Sequence, residues 1–139
     1  MRGDGSTASA GRERMSAGKV LVVDDELEVR LVLGDFLASR GYEVTQAQSG
    51  AEALGLLDRI RPDVVLLDVF MPGIDGMETL RRIVAAHPSL PVIMVTGNVD
   101  VEVTSKALEM GAADYVPKPF DLQYLEQAVS IQVDAARDR

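Results

Sequence analysis

The stretch that decides the fold is DVVLLDVFMPG, residues 63–73. Its apolar run 64–67 has no polar alternation, which predicts a strand buried on both faces of a parallel sheet. Asp68 follows this strand directly, and open parallel sheets bind their ligands at the carboxyl ends of strands. Taken alone, Asp68 is equally well explained as a cap of the next helix. The groups at the other strand ends therefore decide its interpretation.

Strand and helix patterns alternate on both sides of this stretch. The other predicted strands are 20–23, 42–47, 92–95 and 113–116. The first helix is expected to start with a capping box of Asp25 and Glu28 and to end at Gly41. Its expected core stripe is Val29, Val32, Leu33, Phe36 and Leu37. Five strand–helix pairs predict an α/β sandwich with a parallel sheet and right-handed crossovers.

The segment 99–110 carries two conflicting patterns. Val99, Val101 and Val103 alternate with polar residues as in a strand, whereas Ala107 and Leu108 fit the end of a helix. The strand–helix alternation predicts one helix here. Its β-branched first turns make that helix intrinsically weak, which is expected where function requires movement.

Composition limits the classes of function. The 139 residues with 47% hydrophobic content suit one domain, 19–139, preceded by a flexible tail, 1–18. No cysteine and a single histidine, His87, exclude thiol chemistry and a histidine metal site. The net charge of -8 disfavours nucleic acid and anionic membranes as partners. Without a signal peptide or a membrane-spanning run, the chain is expected in the cytoplasm.

Complementary polar groups follow four of the five predicted strands. They are Asp24, Asp25, Asp68, Thr96 and Lys118. Three carboxylates at one sheet edge repel one another unless a hard cation lies among them, and Mg²⁺ prefers oxygen ligands. Each residue has an ordinary explanation, such as a helix cap, strand filler or surface lysine. Four strand ends carrying complementary groups together favour a functional site.

Four motifs resemble the CheY-like receiver domain of bacterial two-component response regulators. They are VLVVDDE (20–26), VLLDVFMPGIDGM (65–77), PVIMVTG (91–97) and GAADYVPKPF (111–120). The resemblance extends from residue 19 to about residue 135. It implies a flavodoxin-like (βα)5 sandwich with strand order 2-1-3-4-5. It also implies a phosphoprotein of a phosphorelay, rather than an enzyme that acts on other substrates.

The same resemblance implies a role for each site residue. Asp68 would accept a phosphoryl group from a histidine kinase and become an aspartyl phosphate. Mg²⁺ would be held by Asp25, Asp68 and the carbonyl of Phe70, with Asp24 acting through water. Thr96 and Lys118 would contact the phosphoryl oxygens, and Tyr115 would change position with Thr96. The Lys118–Pro119 bond would be cis.

Expected partners are a histidine kinase or phosphotransfer protein, a downstream protein target and, on phosphorylation, a second copy of the chain. Leu27, Leu31, Gly34 and Ala38 form an apolar stripe on the first helix, which the resemblance assigns to kinase docking; a wide core face explains it equally well. The chain is expected to be a stand-alone receiver or part of a longer regulator, starting at Met1 or Met15.

Three other classes compete with the receiver. A haloacid-dehalogenase-type phosphatase needs a second acid two residues after the nucleophile, where this chain has Phe70. A flavin or nucleotide binder needs a loop rich in glycine or serine after the first strand, where Asp24, Asp25 and Glu26 stand. A phosphate-independent interaction module of the same fold is expected to lack one of the five site residues, and all five are present.

Overall fold

The computed structural model describes residues 16–69, 71, 75–97 and 101–137, in which five strands and five helices alternate. The strands are β1 (Gly18–Val23), β2 (Tyr42–Ala47), β3 (Val64–Leu67), β4 (Val92–Thr96) and β5 (Asp114–Pro117). The helices are α1 (Leu27–Ser39), α2 (Gly50–Ile60), α3 (Gly76–Ala86), α4 (Val101–Glu109) and α5 (Leu122–Arg137). None of these helices is long and apolar enough to cross a membrane.

The strands form one parallel sheet in the order β2-β1-β3-β4-β5. β3 lies at its centre, and all four of its residues are buried, as the unbroken apolar run predicts. The predicted fold class and strand order are therefore confirmed.

Alternate residues of each central strand serve two separate hydrophobic cores. Leu21 and Val65 point to the face covered by α2, α3 and α4, whereas Val22 and Leu66 point to the face covered by α1 and α5. Because Leu66 is fully buried, truncating it to alanine would cost about 2–5 kcal/mol. The carboxyl ends of the strands are thereby held at one rigid edge.

Helix α1 departs from the predicted packing at two residues, Val32 and Gly34. Leu33 and Leu37 are buried as expected, but Val32 is 48% exposed. Gly34, assigned to the surface stripe, is instead buried, and a Cβ there would lie 3.2 Å from Nε2 of the Gln46 side chain on β2. The helix therefore meets the sheet along Leu33, Gly34 and Leu37.

The predicted start of the ordered chain is two to three residues late. β1 begins at Gly18, and the backbone N–H of Ala17 donates to the Gly41 carbonyl. The Ser16 carbonyl accepts from the Arg137 guanidinium at 3.0 Å. Backbone pairing thus orders residues whose composition alone predicted a tail, while the rest of the predicted tail, 1–15, lies outside the described residues.

Two of the remaining helices begin at a residue whose side chain caps them. Ser49 caps α2 by accepting from the Glu52 N–H, and Asp75 caps α3 by accepting from the Glu78 N–H. Residues 101–109 are helical, which confirms the helix prediction for this part of the ambiguous segment, although residues 98–100 are not described. Ala107 is the buried residue of α4, so that helix has a small apolar anchor.

Candidate functional site

The ends of four strands meet at the carboxyl edge of the sheet. Val23 of β1 is paired with Leu67 of β3, so the next residues, Asp24 and Asp68, stand side by side. The Asp68 N–H donates to the Val23 carbonyl at 3.0 Å, which extends the pairing one step beyond the strands. Asp68 is thereby fixed at the carboxyl end of the central strand.

Three carboxylates gather at this edge. Asp24, Asp25 and Asp68 each offer an oxygen, and these oxygens lie within 4.8 Å of one another. Asp24 and Asp68 are only 2% and 5% exposed, whereas Asp25 faces solvent. A set of hard oxygen donors with one open side fits Mg²⁺ and similar cations. The arrangement could therefore hold a metal ion.

Lys118 brings a positive charge into the cluster. Its ammonium group lies 2.8 Å from Asp24 Oδ2 and 3.5 Å from Asp68 Oδ2. Burial lowers the pKa of Lys118, but the hydrogen bond to Asp24 and the two carboxylate charges outweigh burial and raise the pKa above its usual value. Lys118 therefore stays charged. The Lys118–Pro119 peptide bond is cis, as the resemblance implied.

Both carboxylate oxygens of Asp24 already accept a hydrogen bond. Its Oδ1 accepts from the Glu26 N–H at 2.9 Å, and its Oδ2 accepts from Lys118. These bonds occupy one acceptor direction on each oxygen. A role for Asp24 through a bridging water is compatible with this geometry, and Asp25 and Asp68 are the better candidates for direct contact.

The predicted capping box at Asp25 is wrong. The residue that precedes α1 is Glu26, and no side chain caps it. Asp24 instead bonds the Glu26 N–H, so the short turn after β1 is closed by the first aspartate rather than by the second. Asp25 is consequently left at the surface of the cluster, where its carboxylate can face a cation.

Thr96 and Tyr115 lie on neighbouring strands. Thr96 ends β4 fully buried, and its carbonyl accepts from the Lys118 N–H at 2.8 Å. Tyr115 lies in β5 and lines a cavity of about 270 Å³ together with Val101 and Thr104 of α4. Phe70, the predicted carbonyl ligand, lies outside the described residues.

Two residues that the sequence did not single out contact the cluster. The Glu26 carboxylate lies 3.7 Å from the Lys118 ammonium, and Arg30 donates to the Asp24 carbonyl at 2.7 Å. Glu26 was detectable as a third acid beside the pair. Arg30 carried one weak signal, a positive charge close to the start of a helix, where the helix dipole disfavours it.

A model of the response regulator receiver domain matches residues 20–130. The transcriptional regulator NtrC of Escherichia coli is 43% identical over 120 residues, which cover 84% of this chain and 26% of that protein. Sporulation initiation phosphotransferase F of Bacillus subtilis is 36% identical over 111 residues, which cover 80% of this chain and 90% of that protein. The chain thus spans about a quarter of the length of NtrC.

A solved structure of similar shape is a CheY-like receiver domain protein from Methanospirillum hungatei. It matches with a TM-score of 0.82 and 28% identity, over 86% of this chain and 96% of that one. The family model covers most of the chain, and both curated relatives exceed 30% identity across more than three quarters of it. This chain belongs to the response regulator receiver domain family.

Proposed function

We propose that this chain works in phosphorelay signalling by accepting a phosphoryl group on Asp68 from a histidine kinase or phosphotransfer protein. The observation that supports this most is the cluster of Asp24, Asp25 and Asp68, with oxygens within 4.8 Å of one another, together with the ion pairs of Lys118 with Asp24 and Asp68. Asp68 is the member of the cluster that follows the central strand. Its backbone N–H donates to the Val23 carbonyl of β1, and its carboxylate lies 3.5 Å from the Lys118 ammonium.

In the proposed transfer, an Asp68 oxygen attacks the phosphorus of a phosphohistidine. An O–P bond forms, the N–P bond breaks, and the imidazole leaves with the electron pair and takes up a proton. A bound Mg²⁺ would neutralise charge on the transferred oxygens. Lys118 orients those oxygens and balances their charge from the other side.

Charge balance supports Mg²⁺ as the cofactor. The cluster holds three carboxylates against one ammonium, an excess of about two negative charges that one divalent cation would cancel. In the proposed site Asp25 and Asp68 bind the ion directly, Asp24 acts through water, and the carbonyl of Phe70 is a predicted further ligand.

The proposed switch lies between β4, α4 and β5. An aspartyl phosphate carries about -1.5 to -2 charge in place of the single negative charge of the carboxylate, and its phosphoryl oxygens are strong acceptors. The Thr96 hydroxyl, at the end of β4, is the proposed donor to them. The cavity of about 270 Å³ beside Tyr115 gives its ring room to change position. Because α4 has the single buried anchor Ala107, a small change in contacts can shift that helix.

The test of the acceptor is incubation with acetyl phosphate and Mg²⁺, followed by intact mass measurement. The wild-type chain should gain one phosphate, and Asp68→Asn should gain none. Undiminished labelling of Asp68→Asn would refute the proposed acceptor. An unlabelled wild-type chain would favour a phosphate-independent interaction module.

Helix α1 is the proposed surface for the kinase. Leu27 and Leu31 are 57% and 45% exposed and, with Val32, form an apolar patch beside the site. Leu31→Glu should slow transfer from a kinase that phosphorylates the wild-type chain by about tenfold, because it places a charge in the apolar contact. Labelling by acetyl phosphate should not change.

The matched control is Ile131→Glu in α5, since Ile131 is also an exposed apolar residue, at 63%, and lies outside the proposed switch. It should leave the rate of transfer from the kinase unchanged. Equal losses with both phosphoryl donors in Leu31→Glu would assign Leu31 to folding instead.

The other proposed partners are proteins. The net charge of -8 supports protein partners over nucleic acid, and a cytoplasmic location fits a kinase that signals inside the cell. A downstream protein target and a homodimer formed on phosphorylation are proposed readers of the α4–β5 face. Residues 19–139 are the proposed receiver unit, and it is proposed to catalyse only its own phosphorylation and dephosphorylation.

A further inference from the structure

Every polar atom of Asp24 has a partner. Its N–H donates to the Ala47 carbonyl at 3.1 Å, and its carboxylate oxygens accept from the Glu26 N–H and the Lys118 ammonium. The remaining atom is its carbonyl oxygen, which accepts from Arg30 Nη1 at 2.7 Å. Arg30 therefore holds the peptide group that joins Asp24 to Asp25.

Arg30 reaches this carbonyl from inside helix α1. The turn between β1 and α1 has only three residues, 24–26, and two of them carry cluster carboxylates. No side chain caps Glu26, the residue preceding the helix. Among the described residues, the Arg30 guanidinium is thus the side chain of α1 that ties this turn to its helix.

The location of Arg30 is unfavourable for the helix itself. It is the fourth residue of α1, close to the positive end of the helix dipole, where a cation is disfavoured. Its charge also lies near a site that is to bind a cation. Both effects oppose an arginine here, so its contribution must come from the contact it makes.

We infer that Arg30 is a positioning residue that fixes the Asp24–Asp25 peptide, so that the Asp25 carboxylate faces Asp68 before a metal ion arrives. This inference rests on the proposed function, since it assumes that the cluster binds Mg²⁺. Pre-orienting the ligand lowers the ordering cost of binding. Partners that orient metal ligands typically change affinity by about 10–100-fold.

The sign of the effect separates positioning from charge. Removing a nearby positive charge should, by Coulomb attraction alone, tighten Mg²⁺ binding. Losing the contact that orients Asp25 should weaken it. A weaker binding constant in a variant without the arginine can therefore be attributed to positioning.

The experiment is calorimetric titration of Mg²⁺ into the full chain, with Arg30→Met and the control Arg59→Met. Arg59 lies near the end of α2, on the opposite edge of the sheet, and its removal costs the same charge. We expect the Kd to rise about tenfold in Arg30→Met and to stay within about twofold in Arg59→Met. An unchanged or lower Kd in Arg30→Met would overturn the inference.

Hydrogen exchange in EDTA supplies a readout without metal. In Arg30→Met the Glu26 amide should exchange faster relative to the β3 amides of the same sample, because the turn opens locally. Equal acceleration of both would indicate general destabilisation and would overturn the inference. If Arg30→Met does not fold, Arg30→Lys keeps the charge without the planar fork, and its Kd should still rise at least about threefold. An unchanged Kd in that variant would also contradict it.

These outcomes are distinguishable from failure of the proposed function. Mg²⁺ titration involves no phosphoryl transfer, so Arg30 can be judged even if Asp68 proves not to be the acceptor. A wild-type chain that binds Mg²⁺ and is labelled, together with an unaffected Arg30→Met, would remove the inference alone. A wild-type chain that binds no Mg²⁺ would remove both.

Discussion

Two aspartates flank the same buried strand, and their surroundings differ completely. Asp63, at the amino end of β3, accepts the Lys19 backbone N–H at 2.8 Å and donates its own N–H to the Lys19 carbonyl. Asp68, at the carboxyl end, lies among two other carboxylates and the Lys118 ammonium. The hydrogen bonds between Asp63 and Lys19 join β3 to β1, whereas the cluster around Asp68 brings charged groups together. The same residue type therefore has a structural role at the amino end of β3 and belongs to the candidate site at its carboxyl end.

The comparison predicts that the largest change in labelling rate follows substitution of Lys118, with Lys19 as its control. Lys118→Met should reduce the rate of labelling by acetyl phosphate about 100-fold, because the transferred oxygens lose a positive partner. Lys19→Met is the matched control at the other edge, where the lysine side chain is exposed. It should be labelled like the wild type. Equal rates in the two variants would contradict the assigned role of Lys118.

Magnesium should distinguish the aspartates next. At 100 times its Kd, Mg²⁺ should raise the free energy of unfolding of the wild type by about 2.7 kcal/mol. Asp25→Ala should lose most of this increase, since it removes a ligand, and Asp63→Ala should keep it. Urea unfolding with and without Mg²⁺ measures both. A full increase in Asp25→Ala would argue against that carboxylate as a ligand.

Asp63 should matter for stability alone. Asp63→Ala removes the bond to the Lys19 N–H and should lower the free energy of unfolding in EDTA by about 1–2 kcal/mol. Its labelling by acetyl phosphate should match that of the wild type once both are folded. Slower labelling at equal folded fraction would show that the two ends of β3 are not independent.

The smallest effect, on stability, is expected at Glu78, a surface acid that is paired with Arg81 and Arg82. Hydrogen bonds from Arg81, then from Arg82, lower the pKa of Glu78 from 4.5 to about 2. Ionised Glu78 therefore stabilises the fold above pH 4.5, and this contribution is lost as the pH falls towards 2. Glu78→Gln should lower the Tm at pH 7 by about one degree. The difference should shrink below pH 4.5, and a constant difference would contradict this.

The fold could be predicted from the sequence because the clearest pattern, the unbroken apolar run, belongs to a fully buried strand. The apolar run 64–67 and the regular alternation around it predict β3, the parallel sheet and the edge where Asp24, Asp68 and Lys118 meet. The resemblance added the strand order, and both agree with the structure. Strand ends converge in any parallel sheet, so these side chains could be grouped without knowledge of their contacts.

Details that depend on which atom bonds which could not be predicted. Asp24 and Asp25 are the same residue type in adjacent positions, so the sequence does not show which of them accepts the Glu26 N–H and closes the turn. The structure assigns this bond to Asp24. Val32 fits the helical period but is exposed, because the buried residues of α1 are Leu33, Gly34 and Leu37. Arg30 bonds a backbone carbonyl, a partner that no sequence pattern marks.

The most direct test of the central claim is to map the phosphorylated residue chemically. Borohydride reduces an acyl phosphate to an alcohol, so labelled protein can be trapped, digested and sequenced by mass spectrometry. The account predicts an alcohol at residue 68 alone, dependent on Mg²⁺, with Asp24, Asp25 and Asp63 unmodified. An alcohol at any of those three residues in place of residue 68 would contradict it.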